Sequence, residues 1–196
     1  MNQNEVKSLF RSERIIMAVK NHRDLEKTAN YPWQNVFLLY GNIVTLPHVI
    51  EDLKRQKRTV FVHEGLIEGL SQSSYSVEFI QHYTRADGII TTRPAVARKA
   101  QDMGLATVLR FFILDSLSLT TTKQALKTAR SDYIEILPGT VPRVIRELTM
   151  FTGIPIIAGG LIRDPKEAEG AFAEGAVAVS SSNPKIWRSD LHRGKI

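Results

Sequence analysis

The sequence predicts a single α/β domain of residues 1–196, folded as a small TIM-like (β/α)8 barrel. Eight short β-rich runs alternate with helical stretches along the whole chain, at a steady spacing, and most are rich in Val, Ile, Leu and Phe. This composition is typical of parallel strands buried on both faces. Eight regular units favour a closed barrel. A doubly wound open sheet is the alternative, because alternation by itself does not establish closure.

The predicted strands share this apolar, β-branched character and cover residues 15–20, 35–41, 59–64, 88–93, 106–114, 133–138, 154–159 and 176–181. A short first helix is predicted near 24–28, and five amphipathic helices follow at 46–57, 94–103, 118–129, 142–151 and 164–174. Ser118 is the predicted cap of the third of these five. The last is the best marked, because Asp164 can cap it, Pro165 suits its first position and Gly175 follows its end.

Composition excludes several classes of protein. Of the 196 residues, 43% are hydrophobic and 23% charged, which is ordinary for a globular domain and argues against a disordered chain. The absence of cysteine rules out disulfides, thiolate metal sites and a cysteine nucleophile. No apolar run approaches the roughly 18 residues of a membrane helix, and residues 1–10 are too polar for a signal peptide. We therefore expect a cytoplasmic protein without a membrane partner.

The predicted ends of the last two strands carry a phosphate-binding pattern. Gly159 and Gly160 end the seventh strand, and Ser180 and Ser181 end the eighth. TIM-like barrels often bind phosphate with the loops after these two strands. Glycines let backbone N–H groups approach an anion, and serine hydroxyls add donors. The alternative is that the glycines form a tight turn and the serines cap a helix.

Two charged residues interrupt neighbouring apolar strands. Arg110 lies within VLRFF, and Glu135 lies within YIEIL on the next strand. A buried charge needs a partner of opposite sign, so the two are predicted either to form a structural ion pair or to line a ligand pocket. Both descriptions are compatible with one another.

Two further residues are assigned to the pocket. His63 ends the third predicted strand, and Lys20 ends the first. His63 could serve as an acid or base, a metal ligand or a polar wall. Because no second histidine lies nearby in the sequence, no metal site is predicted. Nothing around Lys20 requires the apolar surroundings of a Schiff-base lysine.

The net charge of +6 permits an anionic ligand or a polyanionic partner but does not require one. Basic residues cluster at 54–58, at 98–99 and along the helix that contains Lys123. Such runs are usually solvated helix faces. No aromatic strand pair for base stacking accompanies them, so composition alone does not establish binding to nucleic acid.

Several segments resemble the bacterial glycerol-uptake operon antiterminator family. They recur in order between residues 36 and 187, as GIITTR at 88–93, RFFILDS at 110–116, DYIEILPG at 132–139, IPIIAGGLI at 154–162, GAVAVSSSN at 175–183 and KIW at 185–187. Gly-Gly alone occurs in many phosphate-binding barrels. The EILPG segment and the SSSN ending are much more particular to this family.

The resemblance implies a small TIM-like barrel that binds glycerol 3-phosphate as its effector, without another cofactor. The liganded protein would act on the leader of a messenger RNA as a transcription antiterminator, and it would be a regulator rather than an enzyme. By position, the phosphate donors would be Gly159, Gly160, Ser180 and Ser181, with Arg110 and Glu135 in the pocket wall. No RNA-contacting residue is matched, and the resemblance leaves a homo-oligomer open.

One position departs from the family pattern. The family commonly has His-x-Asp-Leu after the third strand, where this chain has His63-Glu64-Gly65-Leu66. Glu64 stands one place before the missing aspartate. Because side chains alternate along a strand, Glu64 need not take over the role of that aspartate.

Two other functions remain open at the level of the sequence. A barrel enzyme, an isomerase or synthase acting on a small phosphorylated substrate, would share the phosphate motif and would need an acid/base pair facing the pocket. Glu135, His63 and Asp115 are the candidates for that pair. A metabolite-sensing module that passes its signal to a protein partner is the third hypothesis.

Overall fold

The structure, a computed structural model, describes residues 9–10, 13–70, 74–189 and 191. The predicted domain of residues 1–196 therefore includes positions that lie outside the described residues. None of the helices in the described part is both long and apolar enough to cross a bilayer.

Eight parallel strands form a closed barrel, which confirms the predicted fold and excludes the open sheet. The strands are Ile15–Val19 (β1), Asn35–Leu38 (β2), Thr59–His63 (β3), Gly88–Thr91 (β4), Ala106–Phe112 (β5), Tyr133–Leu137 (β6), Ile156–Gly159 (β7) and Ala178–Ser181 (β8). Each strand pairs with the next one along the chain, and β8 pairs back with β1. All strand C-termini therefore meet at one end of the barrel, which we call its mouth.

Helices connect successive strands and surround the barrel. They are His22–Thr28 (α1), Leu46–Arg55 (α2), Ser74–Tyr83 (α3), Pro94–Asp102 (α4), Ser116–Leu126 (α5), Pro142–Phe151 (α6), Pro165–Ala173 (α7) and Pro184–Trp187 (α8), with a 3-10 turn at Glu64–Leu66. Because each helix follows a strand, the helix N-termini face the mouth. Asp164 caps α7 through its side chain, as predicted.

Three helices differ from the sequence prediction, and the short helix α8 is one that it lacks. Helix α3 is absent from it, because its aromatic and β-branched residues give little helical signal and its burial of Val77 and Ile80 is a tertiary effect. Helix α5 begins at Ser116 rather than at Ser118. Asp115 is its N-cap, and Ser118 completes a capping box three residues later.

Side-chain alternation divides the apolar core into two layers. Odd-numbered residues of β1 and even-numbered residues of β2 pack outwards against the helices. Residues of the opposite parity fill the barrel in a second cluster, made of Phe10, Ile16, Phe37, Phe61, Ile90, Ala106, Val108, Tyr133, Ile157 and Ala178. Side chains alternate along each strand, so the inward-facing positions nearer the strand C-termini can be identified in the same way. At the mouth several of these inward-facing side chains are polar.

Candidate functional site

A cavity of about 360 Å³ opens at the mouth of the barrel. Its walls are the C-terminal ends of several strands and the loops after β7 and β8, and its lining residues are Ala18, Lys20, Leu39, Arg110, Glu135, Leu137, Gly160, Leu161, Ile162, Arg163, Ser180, Ser181, Ser182 and Asn183. Six of the residues predicted for the site thus share one cavity. Two others, Gly159 and His63, do not line it.

The carboxylate of Glu135 is the centre of a polar network at this cavity. Arg110 Nε donates to Glu135 Oε2 at 2.6 Å, and Ser180 Oγ donates to Glu135 Oε1 at 2.5 Å. Arg110 and Glu135 are direct register partners on β5 and β6, and both are almost fully buried. The charges therefore neutralise each other at the cavity wall, as a buried ion pair requires.

Gly159 contributes to this network through its lack of a side chain. A Cβ atom at this position would lie 2.4 Å from Glu135 Oε1 and 2.6 Å from Ser180 Oγ. The space that a side chain would take is occupied by the hydrogen bond between Glu135 and Ser180. Gly159 thus allows β6 and β8 to be bridged across β7.

The guanidinium of Arg110 keeps donors for a ligand. Only Nε is hydrogen-bonded, and the two terminal nitrogens donate to no group in the described part of the chain. Because Arg110 lines the cavity, these nitrogens can donate to an oxygen placed there. The ion pair and the predicted pocket role of Arg110 are therefore compatible.

The turn after β7 has an unusual backbone. Gly160 has φ +71°, and Leu161, a non-glycine residue, has φ +59°. Leu161 is exposed, so its side chain does not explain this left-handed conformation, which branched residues adopt at a cost. The N–H groups of Gly160, Leu161 and Ser182 donate to no described acceptor. Consecutive free N–H groups in such a turn form a concave site suited to an anion.

The hydroxyls of Ser180 and Ser181, which are predicted phosphate donors, both have partners within the protein. Ser180 donates to Glu135, and Ser181 Oγ donates to the carbonyl of Ile162 at 3.0 Å and accepts from Asn183 N–H at 3.1 Å. Ser181 thereby holds the loops after β7 and β8 together. Ser182, which also lines the cavity, has no such bond in the described residues.

Two basic side chains stand at the cavity edge. Lys20 follows β1 directly, and Arg163 follows the turn after β7; both are exposed. Sequence reasoning had selected Lys20 and missed Arg163. Arg163 lies in the loop between β7 and α7, just before the helix cap Asp164. That position was the signal that could have identified Arg163.

His63 is a buried, neutral imidazole that does not line the cavity. Its side chain is buried, and Nδ1 has no hydrogen-bond partner among the described residues. Burial, together with the nearby positive charge of Arg110, lowers the pKa of His63 from its ordinary 6.5 to about 3. The side chain therefore carries no charge near neutral pH.

Glu64 takes a structural role at the adjacent strand end. Its carboxylate accepts from Thr91 Oγ1 at 2.7 Å and pairs with Arg93 Nη2 at 3.0 Å. It is buried and does not line the cavity. No group of three or more potential metal ligands occurs in the described part of the chain.

Asp115 also lies apart from the cavity, because its carboxylate accepts the N–H of Ser118 as the cap of α5. These backbone and hydroxyl hydrogen bonds lower the pKa of Asp115. Of the three groups that an acid/base mechanism could use, only Glu135 lines the cavity.

Comparison with known proteins finds one matching family and a similar curated protein. A family model described as the glycerol-3-phosphate responsive antiterminator matches residues 15–187. A curated but uncharacterized protein of Escherichia coli K12, YgcP, is 35% identical over 179 residues, which are 91% of this chain and 94% of that protein.

Two solved structures are similar over nearly their whole length. The glycerol uptake operon antiterminator regulatory protein of Listeria monocytogenes has a TM-score of 0.87 and 29% identity, covering 90% of this chain and 96% of that one. A glycerol uptake operon antiterminator-related protein of Thermotoga maritima has a TM-score of 0.79 and 32% identity, covering 89% and 98%. More distant barrels, including aldolases at 16% identity, share the fold alone.

We expect Arg110→Met to reduce the free energy of unfolding by about 3–5 kcal/mol in the absence of ligand, because it leaves Glu135 charged and buried without its partner. The double variant Arg110→Met/Glu135→Gln should recover part of this loss. Chemical denaturation at neutral pH measures both. Arg55→Met removes the exposed pair with Asp52 and should cost less than about 1 kcal/mol. Equal, small effects of the two single variants would contradict a buried structural pair.

We also expect His63 to make the protein less stable in acid. Its pKa is lower in the folded protein than in the unfolded chain, so the unfolded chain binds more protons and stability falls as the pH drops from about 6.5 toward 3. At about 1.4 kcal/mol per pH unit, this amounts to about 2 kcal/mol between pH 6.5 and 5.

Denaturant unfolding of His63→Gln across this pH range should show a correspondingly flatter profile. His48 is exposed, so His48→Gln serves as the matched control and should retain the wild-type slope. The same slope in His63→Gln and in the wild type would show that His63 is not held neutral by burial.

Proposed function

This chain belongs to the glycerol-3-phosphate responsive antiterminator family, and from that premise we propose that it binds glycerol 3-phosphate in the cavity at the barrel mouth. The liganded protein then acts on the leader of a nascent messenger RNA and prevents premature termination of transcription. This places its action in the cytoplasm, where the transcript is made. No cofactor other than the effector takes part.

The observation that carries the proposal is the set of free donors around one cavity. The N–H groups of Gly160 and Leu161, the terminal nitrogens of Arg110 and the side chain of Arg163 all border it. A phosphate takes several charge-assisted hydrogen bonds from such a set. The volume of about 360 Å³ lies at the lower end of the range for small-molecule sites, which suits a ligand of this size.

The carboxylate of Glu135 in the cavity wall suits the glycerol part of the ligand. Glu135 presents carboxylate oxygens at the cavity, and its charge is balanced by Arg110. The hydroxyl groups of the glycerol part can donate to these oxygens. Because Arg110 balances the charge, Glu135 repels the phosphate less than an unpaired carboxylate would. The arrangement therefore distinguishes the two ends of glycerol 3-phosphate.

A regulator fits the cavity better than an enzyme. General acid/base catalysis on a phosphorylated substrate needs two titratable groups that face the reacting atoms. Here Glu135 is held by Arg110 and Ser180, Asp115 caps a helix, and His63 lies outside the cavity. Lys20 is exposed, whereas a Schiff-base lysine is activated by desolvation.

Ligand binding should stabilise the protein by mass action on the folded state. We expect glycerol 3-phosphate to raise the melting temperature in a dose-dependent way, and glycerol at equal concentration to do far less, because the phosphate supplies the charge-assisted bonds. Differential scanning fluorimetry measures both. Equal shifts with the two compounds would contradict a phosphate site.

A pair of variants tests the position of this site. Arg163→Gln should leave the melting temperature of the free protein unchanged, since the side chain is exposed, but should weaken glycerol 3-phosphate binding by about tenfold or more. Lys166→Gln removes a charge one helical turn away, outside the cavity, and should retain the affinity. Calorimetric titration distinguishes the two variants.

Effector and RNA binding must be coupled if the ligand controls the regulator. We expect glycerol 3-phosphate to tighten binding of a leader transcript from glycerol-utilisation genes by about 5- to 150-fold, the usual range of allosteric coupling. The transcript should tighten effector binding by the same factor. If neither affinity depends on the other ligand, a protein partner or an enzymatic role takes precedence over RNA regulation.

A further inference from the structure

Six exposed basic side chains lie on one side of the barrel mouth, and we propose that they form the surface that binds the RNA. This basic arc consists of Lys20, Arg23, Arg143, Arg163, Lys166 and Lys185. The inference rests on the proposed function, to which it adds the face of the molecule and the chemistry of the contact.

The topology places these residues side by side. Arg143 lies in the first turn of α6 and Lys166 in the first turn of α7, while Lys185 lies at the start of α8. Lys20 and Arg23 follow β1, which is the next strand after β8 in the closed barrel. The arc therefore runs without interruption over the ends of β6, β7, β8 and β1, around half of the mouth.

The basic side chains of the arc are not held in ion pairs. None of its six side chains forms an ion pair with a described carboxylate, whereas many basic residues elsewhere do, as in the pairs Lys54–Asp87, Arg85–Glu51, Lys99–Glu78, Lys123–Glu147 and Arg146–Glu174. Several carboxylates close to these residues along the chain accept hydrogen bonds from other donors.

Three such carboxylates border the arc. Asp164 accepts the N–H of Glu167 as the cap of α7, and Glu167 accepts the N–H of Arg163 at 2.6 Å. Glu147, one turn after Arg143, accepts from Lys123 at 2.5 Å. Arg143 still acts electrostatically on Glu147, but no side chain of the arc is held by a described carboxylate, so all six can contact an external anion.

The placement of two of these residues is unfavourable for helix stability. The N-terminal end of a helix carries partial positive charge, which favours acidic residues in the first turn and disfavours basic ones. Arg143 and Lys166 nevertheless occupy the first turns of α6 and α7. Their positive charges do not stabilise these helices. An anionic partner at the mouth explains why basic residues stand at these positions.

A nucleic acid backbone matches this surface. An arc of separated, flexible cations can contact successive phosphates, and it carries no aromatic side chain for base stacking. We therefore expect the arc to position the RNA through its phosphates, with little sequence preference of its own. Two of its members, Lys20 and Arg163, also line the effector cavity, so effector and RNA meet at shared side chains.

Two triple variants of equal charge test this surface in the full chain. Arg23→Gln/Arg143→Gln/Lys166→Gln removes three charges from the arc without touching the cavity lining. The control, Lys57→Asn/Lys127→Gln/Arg130→Gln, removes three exposed, unpaired charges from the opposite end of the barrel. Asn is chosen at position 57 because this residue has φ +60°, a conformation that Asn tolerates.

Binding of the leader transcript is measured for both triples as a function of salt, with glycerol 3-phosphate present. We expect the arc variant to lose affinity on the order of tenfold or more and its log–log salt slope to fall by about 2, as for the loss of three single-strand phosphate contacts. Its effector affinity should stay at the wild-type value. The control variant should keep both the RNA affinity and the slope.

Equal losses in the two triples, or no loss in either, would overturn the assignment of the RNA to this arc while leaving the proposed function intact. Failure of the wild-type protein to bind the leader transcript at any effector concentration would instead overturn the proposed function, and the arc with it. The two failures are therefore distinguishable in one set of titrations.

Discussion

The mouth of this barrel depends on how one buried carboxylate is held. Glu135 sits on the inner face of β6, bonded by Arg110 from β5 and by Ser180 from β8, and Gly159 on β7 leaves the room for that bridge. The hydrogen bonds of Glu135 thus link four consecutive strands, β5 to β8. Breaking such a buried pair costs far more than the intact pair contributes to stability, so each member constrains the others.

The same network determines what the cavity can bind. Since Arg110 neutralises Glu135 through Nε, the cavity wall has no net charge from this pair, while the terminal nitrogens of the guanidinium donate to no other described residue. Further donors lie in the turn after β7 and at the cavity edge, where Gly160, Leu161 and Arg163 are found. The cavity therefore combines hydrogen-bond donors with the carboxylate oxygens of Glu135.

The chain also illustrates how one fold serves different functions. Aldolases share this barrel at 16% identity, and a phosphate site after β7 and β8 suits enzymes and regulators alike. In this chain, several titratable groups near the mouth have structural roles. Burial keeps His63 neutral, and hydrogen bonds give Asp115 and Glu64 structural roles. Among the three candidates for an acid/base pair, only Glu135 lines the cavity.

The sequence by itself determined the barrel, because the regular strand spacing and the apolar composition of the strands are properties of the chain. It also located Arg110, Glu135, Gly160 and Ser180 at the mouth, since each stands at or near the C-terminal end of a strand. Tertiary structure alone decided the rest. No periodic pattern in the sequence predicts three features of the structure. These are the bond of Ser181 to Ile162, the position of Arg163 at the cavity and the helix over 74–83. They depend on contacts between residues far apart in sequence and on irregular loop backbone, which local patterns do not encode.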